Sequence, residues 1–342
     1  MAGKFPLHPK YIPIIKWQKY EQIALRKLHA DVKDLVLPCI EIRDSKQHQS
    51  LLKDYQSTWS GLALIDYANP KGSLTATRTR EFLDFLGAAH SSGLPVSPVL
   101  NPSDPNAGAA ALLAQVAKFG EATLRLRISA PSITDVHLNH LRAAVTALAG
   151  QGVKARLLID LGVTPQTWSA IDVANFSAEV ASVKSLGFSA VHLASGAYPE
   201  SLQSVKTGVG FFDRRDWRFW SDLNQVAPQL LIGYGDYGVL SPVWTEEALE
   251  RRGARVAIRY TRPDSWLILR ADGKTKPDSV AISQILVSAY AGDFKGAPYS
   301  YGDELLATRA DPAIPLPKKL CGHYHITEGW SHHVAMVIKD QY

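Results

Sequence analysis

Apolar residues along the first two thirds of the chain fall into short runs bounded by turn residues, and each run is followed by a stretch whose apolar positions recur at helical spacing. Eight such runs can be read: Tyr11 to Ile15, Val36 to Ile42, Leu62 to Ile65, Val96 to Leu100, Thr123 to Ile128, Ala155 to Leu161, Ala190 to Ala194 and Gln229 to Tyr234. Near-continuous apolar runs mark strands of a parallel sheet, which is covered on both faces. The intervening stripes, such as Phe82, Phe85, Leu86 and Ala89, or Leu138, Leu141, Val145 and Leu148, predict helices that each pack one face on that sheet. Strand and helix alternating this often selects an α/β protein. A doubly wound open sheet also alternates, but eight successive units with no break to a second domain favour closure into a (β/α)8 barrel of the TIM type.

The rhythm changes after Gly238. Arg255 to Tyr260 and Ser265 to Arg270 predict a hairpin turning at Thr261 to Asp264, and a helix over Asp278 to Tyr290 follows with Asp278 as its cap. The expected organisation is therefore a barrel over residues 1–240 and a hairpin-plus-helix extension over 241–342 packed on it. Pro199 to Leu223 reads as irregular and as a candidate functional loop, Asp311 to Pro317 as a loop or stiff connector, and His323 to Ile338 as a turn and strand.

Composition narrows the class without naming an activity. Hydrophobic residues make up 46% and charged residues 20%, as in an ordinary globular chain. No stretch reads as a signal peptide or a membrane span, so the cytoplasm is the expected compartment. Cys39 and Cys321 are far apart and are expected to be reduced, Cys39 within the core. The formal charge of +5 is small for this length, and nucleic-acid binding is not demanded. Arg214, Arg215 and Arg218, and Arg251, Arg252 and Arg255, read as solvated surface charge. The aromatic group Phe211, Phe212, Trp217, Phe219, Trp220 and Trp244 reads as packing of the irregular loop, with a cap on the barrel or an interface as the alternatives.

Active sites of such barrels lie at the C-terminal ends of the strands, so the polar residue that ends each apolar run is informative. Those residues are Lys16, Glu41, Asp66, Asn101, Arg127, Asp160, Ser195 and Asp236. The acids of IEI, LID and LLID have little reason to interrupt an apolar run, which makes Glu41, Asp66 and Asp160, with Lys16, the candidate catalytic residues. Their alternative role is in structural salt bridges. Three carboxylates at one rim suit a divalent cation, or a general acid and base if their pKa values are pushed apart. Lys16 and Arg127 suit pairing with those acids or the grip of an anionic substrate.

The string Gly233-Tyr-Gly-Asp-Tyr-Gly238 matches G-x-G-x-x-G, but no helix opens inside it, so it reads as a barrel loop rather than a dinucleotide fingerprint. Loops after the seventh and eighth strands of barrels often bind phosphate, which adds Gly196, Tyr234 and Asp236 to Arg127, Asn101 and Ser195 as candidate substrate-binding residues. His323, His325, His332 and His333 lack a zinc-type spacing, and no metal is assigned to them. G-x-S-x-G, Walker and CxxC patterns are absent from the chain.

The segment Tyr11-Ile-Pro-Ile-Ile-Lys16-Trp17 with Glu21 and Ala24-Leu25, followed by Leu37-Pro-Cys-Ile-Glu41-Ile, resembles the opening of the phage "beta protein" family. Trp266 to Arg270 and Gly329-Trp330-Ser-His332-His333 resemble its late motifs, with Ala271 standing where the family pattern suggests glycine. The resemblance spans the chain and implies a setting in phage–host conflict, with no catalytic residues to carry over. Two functions are then expected to compete. One is an enzyme, a hydrolase or lyase, acting on an anionic, phosphorylated or nucleotide-like substrate at the barrel mouth. The other is a non-catalytic barrel that binds a protein partner in a defence system.

Overall fold

Eight parallel strands close into a barrel in the order β1 (Ile12–Lys16), β2 (Cys39–Glu41), β3 (Ala63–Asp66), β4 (Val96–Leu100), β5 (Glu121–Arg127), β6 (Lys154–Val163), β7 (Val191–Gly196) and β9 (Gly233–Asp236), with β9 returning to pair with β1. The computed structural model describes residues 4–42, 48–67, 73–104, 108–243 and 255–342. Helices lie between successive strands, as the alternation of stripes predicts. Among the described residues no helix is long and apolar enough to cross a membrane.

Pleating divides each strand between two cores. Ile12, Ile14, Cys39, Leu64, Val99, Leu158 and Ala194 pack with Tyr237 in one small cluster, the filling of the barrel. Their sequence neighbours, among them Ile15, Ile40, Ile65, Leu100, Leu124, Ile159 and Leu193, pack instead with helix residues such as Phe82 and Phe176. Parity therefore tells which side chains enter the barrel. Lys16 pairs with Glu41 and Glu41 with Asp66 across β1, β2 and β3, while Arg127 pairs with Asp160 across β5 and β6, so the inward residues at the strand ends stand at matched levels of one rim.

The last barrel strand differs from expectation. Gln229 to Tyr234 was the apolar run, but Pro228–Leu230 is a short 3-10 turn and the glycine-rich Gly233–Asp236 is the strand rather than a loop. The reason is space. A Cβ on Gly233 would stand 2.3 Å from the His192 ring, and one on Gly235 would stand 2.9 Å from the Ile12 carbonyl, so only glycine lets this strand close the barrel.

Pro199 to Leu223 is not irregular. It contains strand β8 (Gly208–Asp213) and most of a helix, Arg215–Val226. β8 pairs antiparallel with β11 (Ser265–Arg270), which also pairs with β10 (Ala257–Thr261), so the expected hairpin becomes a three-stranded sheet with one strand supplied by the β7–β9 connection. Removing this segment would therefore dismantle a sheet. Phe219 and Trp220 are buried in the main core, whereas Phe211 is exposed; Trp244, Arg251 and Arg252 lie outside the described residues. Arg214 is not solvated: it is 1% exposed and donates to Gln341 Oε1 at 2.5 Å. Both cysteines are free, and Cys39 is buried.

The helix Lys276–Ala289 is capped by Thr275, one turn before the expected Asp278. Thr275 accepts from the Asp278 amide at 3.3 Å, and the Asp278 carboxylate accepts from the Thr275 amide at 2.8 Å, a reciprocal capping box. Thr275→Ala should lower stability by about 1 kcal/mol in urea unfolding. An unchanged midpoint would show that tertiary packing alone holds this helix. His323 to Ile338 is likewise not a strand: Tyr324–Met336 is a helix, buried over most of its length.

Candidate active site

At the C-terminal rim, β2, β3 and β6 each aim a carboxylate into the barrel, and the three meet on Arg125 from β5. Its Nη1 donates to Glu41 at 2.9 Å and to Asp66 at 2.6 Å, while Nε and Nη2 donate to Asp160 Oδ2 at 2.9 and 2.7 Å. Arg127, two residues on and therefore on the same face, donates to Asp66 at 2.6 Å. Tyr237 accepts from Arg125 Nη2 at 2.8 Å and donates to Asp160 at 2.7 Å. Arg125 is 1% exposed, and Glu41, Asp66 and Asp160 are all buried.

Burial opposes the charge of Arg125, but Tyr237 and the three carboxylates outweigh it and hold the guanidinium above even its usual high pKa. Burial, with the charge of Asp160, pushes the Tyr237 phenol well up, so it stays a neutral donor. The three carboxylates do converge, and a guanidinium stands among them. Among the described residues no group of three or more His, Cys, Asp or Glu is arranged to hold a metal ion.

The remaining candidates separate by parity. Lys16 is at the rim, and its ammonium donates to the Ser241 carbonyl at 2.7 Å. Asn101 is half-buried and accepts from the Ser103 amide at 3.0 Å, which ties it to its own turn. Gly196 has no room for a ligand against its backbone, since a Cβ there would stand 2.9 Å from Pro242. Ser195, Tyr234 and Asp236 have the opposite parity and lie in the wall, a correction to their reading as substrate contacts. Ser195 accepts from Thr164 at 2.9 Å; Tyr234 stacks on Tyr11 and donates to Asp216 at 3.1 Å.

Asp236 accepts from Tyr11 at 2.6 Å and bonds His333 Nε2 at 2.9 Å, which pins the C-terminal helix to the barrel. The other histidines of that helix are also in separate polar contacts: His332 with Asp303 at 2.9 Å, and His325 with Glu328 at 2.9 Å. These three histidine–carboxylate contacts explain why a histidine-rich segment can be buried as a helix.

Three residues of the rim escape a reading of strand ends. Arg125 sits mid-strand, and the signal for it is the pair of arginines two apart in LRLR, which share one face. Tyr237 follows the last strand at inward parity. Glu21, the acid of the helix Lys19–Arg26, is 2% exposed, and its Oε1 has no hydrogen-bond partner among the described residues. Burial raises the Glu21 pKa well above its ordinary value; Lys16 works against this and Glu41 adds to it, so the neutral carboxylic acid is favoured there.

The sequence profile of the family described as Beta protein matches residues 11–339 of this chain. No curated protein sequence matches it significantly. Among solved structures, a chitinase from Chromobacterium violaceum ATCC 12472 is 12% identical, covering 83% of this chain and 91% of its own, with a TM-score of 0.33. The spore cortex-lytic enzyme SleL of Bacillus cereus is 14% identical, covering 68% and 72%, with a TM-score of 0.38. A putative fructose-1,6-biphosphate aldolase from Coccidioides immitis is 10% identical, covering 89% and 91%, with a TM-score of 0.36. Likeness at this level assigns neither substrate nor site to this chain.

Proposed function

Since the chain belongs to the Beta protein family and folds as a TIM-type barrel, we propose that it is an enzyme, a hydrolase or lyase, whose substrate is an anion bound at the C-terminal rim. The observation that carries this is the convergence of Glu41, Asp66 and Asp160 on Arg125 inside that rim, with Arg127 joined to the cluster through Asp66. Arg127, the most exposed of the group, and Lys16 hold the anionic part of the substrate. Burial favours the neutral acid form of Glu21 while Glu41 is salt-bridged to Arg125, so the two carboxyls sit in unlike environments, as a general acid and a base require. The setting we propose, phage–host conflict, rests on the family.

One observation favours a second reading. The cluster balances three carboxylates, Glu41, Asp66 and Asp160, against Lys16, Arg125 and Arg127, and most of it is buried, as in a structural plug beneath a protein-binding scaffold. A thermal-shift screen of nucleotides, sugar phosphates and dicarboxylates separates the two. An active-site ligand at a hundred times its Kd should stabilise the protein by about 2.7 kcal/mol. Arg127→Gln should weaken that ligand about tenfold at an unchanged unliganded melting temperature, and Glu41→Gln should bind it without turnover. If no anion shifts the wild type while a defined protein partner does, the scaffold reading stands.

A further inference from the structure

The opposite end of the barrel carries a site of its own. A cavity of about 660 Å³ lies among the residues that lead into the strands: Lys10 before β1, Leu37 before β2, Leu62 before β3 and Ala190 before β7, with Arg156 and His192 from the starts of β6 and β7. That volume falls within the roughly 300–1,000 Å³ of small-molecule sites. The charged residues of the C-terminal rim take no part in its lining.

His192 is fully buried, and its Nε2 is 3.0 Å from the Lys10 carbonyl. A carbonyl only accepts, so Nε2 carries the proton. Burial, helped by the charge of Arg156, pushes the ring's pKa down to about 3, so the ring is neutral and Nδ1 is a bare acceptor. Nδ1 has no partner among the described residues. Gly233 holds the ring in place, because a Cβ at that position would overlap it.

Arg156 lies alongside. Its Nη2 donates to Glu121 at 2.8 Å, whereas its buried Nε and Nη1 have no partner among the described residues. Lys10 and Lys33 also line the cavity, the latter with its ammonium 4.9 Å from the centre of the Trp59 ring, and Asp34 is the acid among the lining residues. Three cations and one carboxylate thus line the cavity, and the unpartnered donors and acceptor belong to two of its lining residues, Arg156 and His192. Buried polar atoms are rarely left without partners, and here the set left over has the form of a recognition site.

We propose that this cavity binds a small oxyanion, phosphate or carboxylate, that also carries a hydroxyl: the anionic group meets Arg156, Lys10 and Lys33, and the hydroxyl donates to His192 Nδ1. A backbone-shaped pocket would select by size alone. This one selects by a donor placed beside a negative charge.

Calorimetric titration of the full chain with glycerol 3-phosphate, and with inorganic phosphate and glycerol as its parts, tests the proposal. Saturable one-to-one binding of glycerol 3-phosphate is expected, about fivefold tighter than inorganic phosphate for the one added hydrogen bond. Arg156→Gln should weaken it tenfold or more, and Lys33→Gln, which removes an ammonium lying over the Trp59 ring, should weaken it several-fold even if the Arg156 variant does not fold. Glu41→Gln and Arg127→Gln, at the other rim, should leave it unchanged. No saturable binding by the wild type, equal affinity in both cavity variants, or loss of binding in Arg127→Gln would each overturn the proposal.

Discussion

Arg125→Met should be among the most damaging single substitutions in this protein, lowering its stability by about 3–5 kcal/mol in urea unfolding at neutral pH. The side chain is 1% exposed and is the common partner of Glu41, Asp66 and Asp160. Methionine fills much of the volume but leaves three buried carboxylates facing each other, with Arg127 still bound to Asp66. Part of the loss should be recoverable. Adding Asp160→Asn to Arg125→Met removes one of the stranded charges, so the double variant should be more stable than Arg125→Met alone, the non-additivity expected of groups in one network. A loss below about 1 kcal/mol, or strict additivity, would show that water or rearrangement satisfies the carboxylates and that the rim is not an integrated charge cluster.

The second large effect should appear on mild acidification, through His192. Its folded pKa of about 3 lies below the ordinary value near 6.5 that it regains on unfolding, so below 6.5 the unfolded chain binds the extra proton. The stability it contributes is full above pH 6.5 and is lost as pH falls, at about 1.4 kcal/mol per unit, or about 2 kcal/mol by pH 5. His325 and His333, also held below their usual values by burial despite Glu328 and Asp236, act in the same direction. Asp216, raised by burial to about 6, and Glu21 act in the opposite one, because their folded forms take up the proton first. The His192 share is therefore read as a difference: the stability gap between wild type and His192→Gln should narrow by about 2 kcal/mol between pH 7 and pH 5. In the NMR spectrum the His192 ring should remain neutral throughout that range. A ring that titrates near 6.5 would defeat both this expectation and the tautomer assigned in the cavity.

Strand ends were legible because a barrel puts every C-terminal end on one rim, so a charge closing an apolar run already has an address. Lys16, Glu41, Asp66, Arg127 and Asp160 were found in this way, and their shared inward parity agrees with it. Asp236 and Tyr234 were misplaced because parity is counted from a strand's register, and the register of β9 depends on what glycine must clear in His192 and Ile12. Arg125 was missed for a related reason. Its meaning lies in carboxylates from strands 35 to 84 residues away in sequence, which only closure of the barrel brings across from it.

The same division holds through the rest of the molecule. By itself the sequence determined what depends on neighbours along the chain: the strand and helix periods, the eight-fold alternation, the hairpin of residues 255–270, and the acids and bases that end the strands. Tertiary structure alone decided what depends on partners distant in sequence. It drew Gly208–Asp213 out of an apparent loop to pair with Ser265–Arg270, buried the histidines of Tyr324–Met336 as a helix by giving His332 and His333 Asp303 and Asp236, and placed Arg125 among the three rim carboxylates. A period of two or 3.6 is a property of local backbone geometry, whereas the free energy of a buried charge is set by whichever opposite charge the folded chain brings within about 3 Å of it.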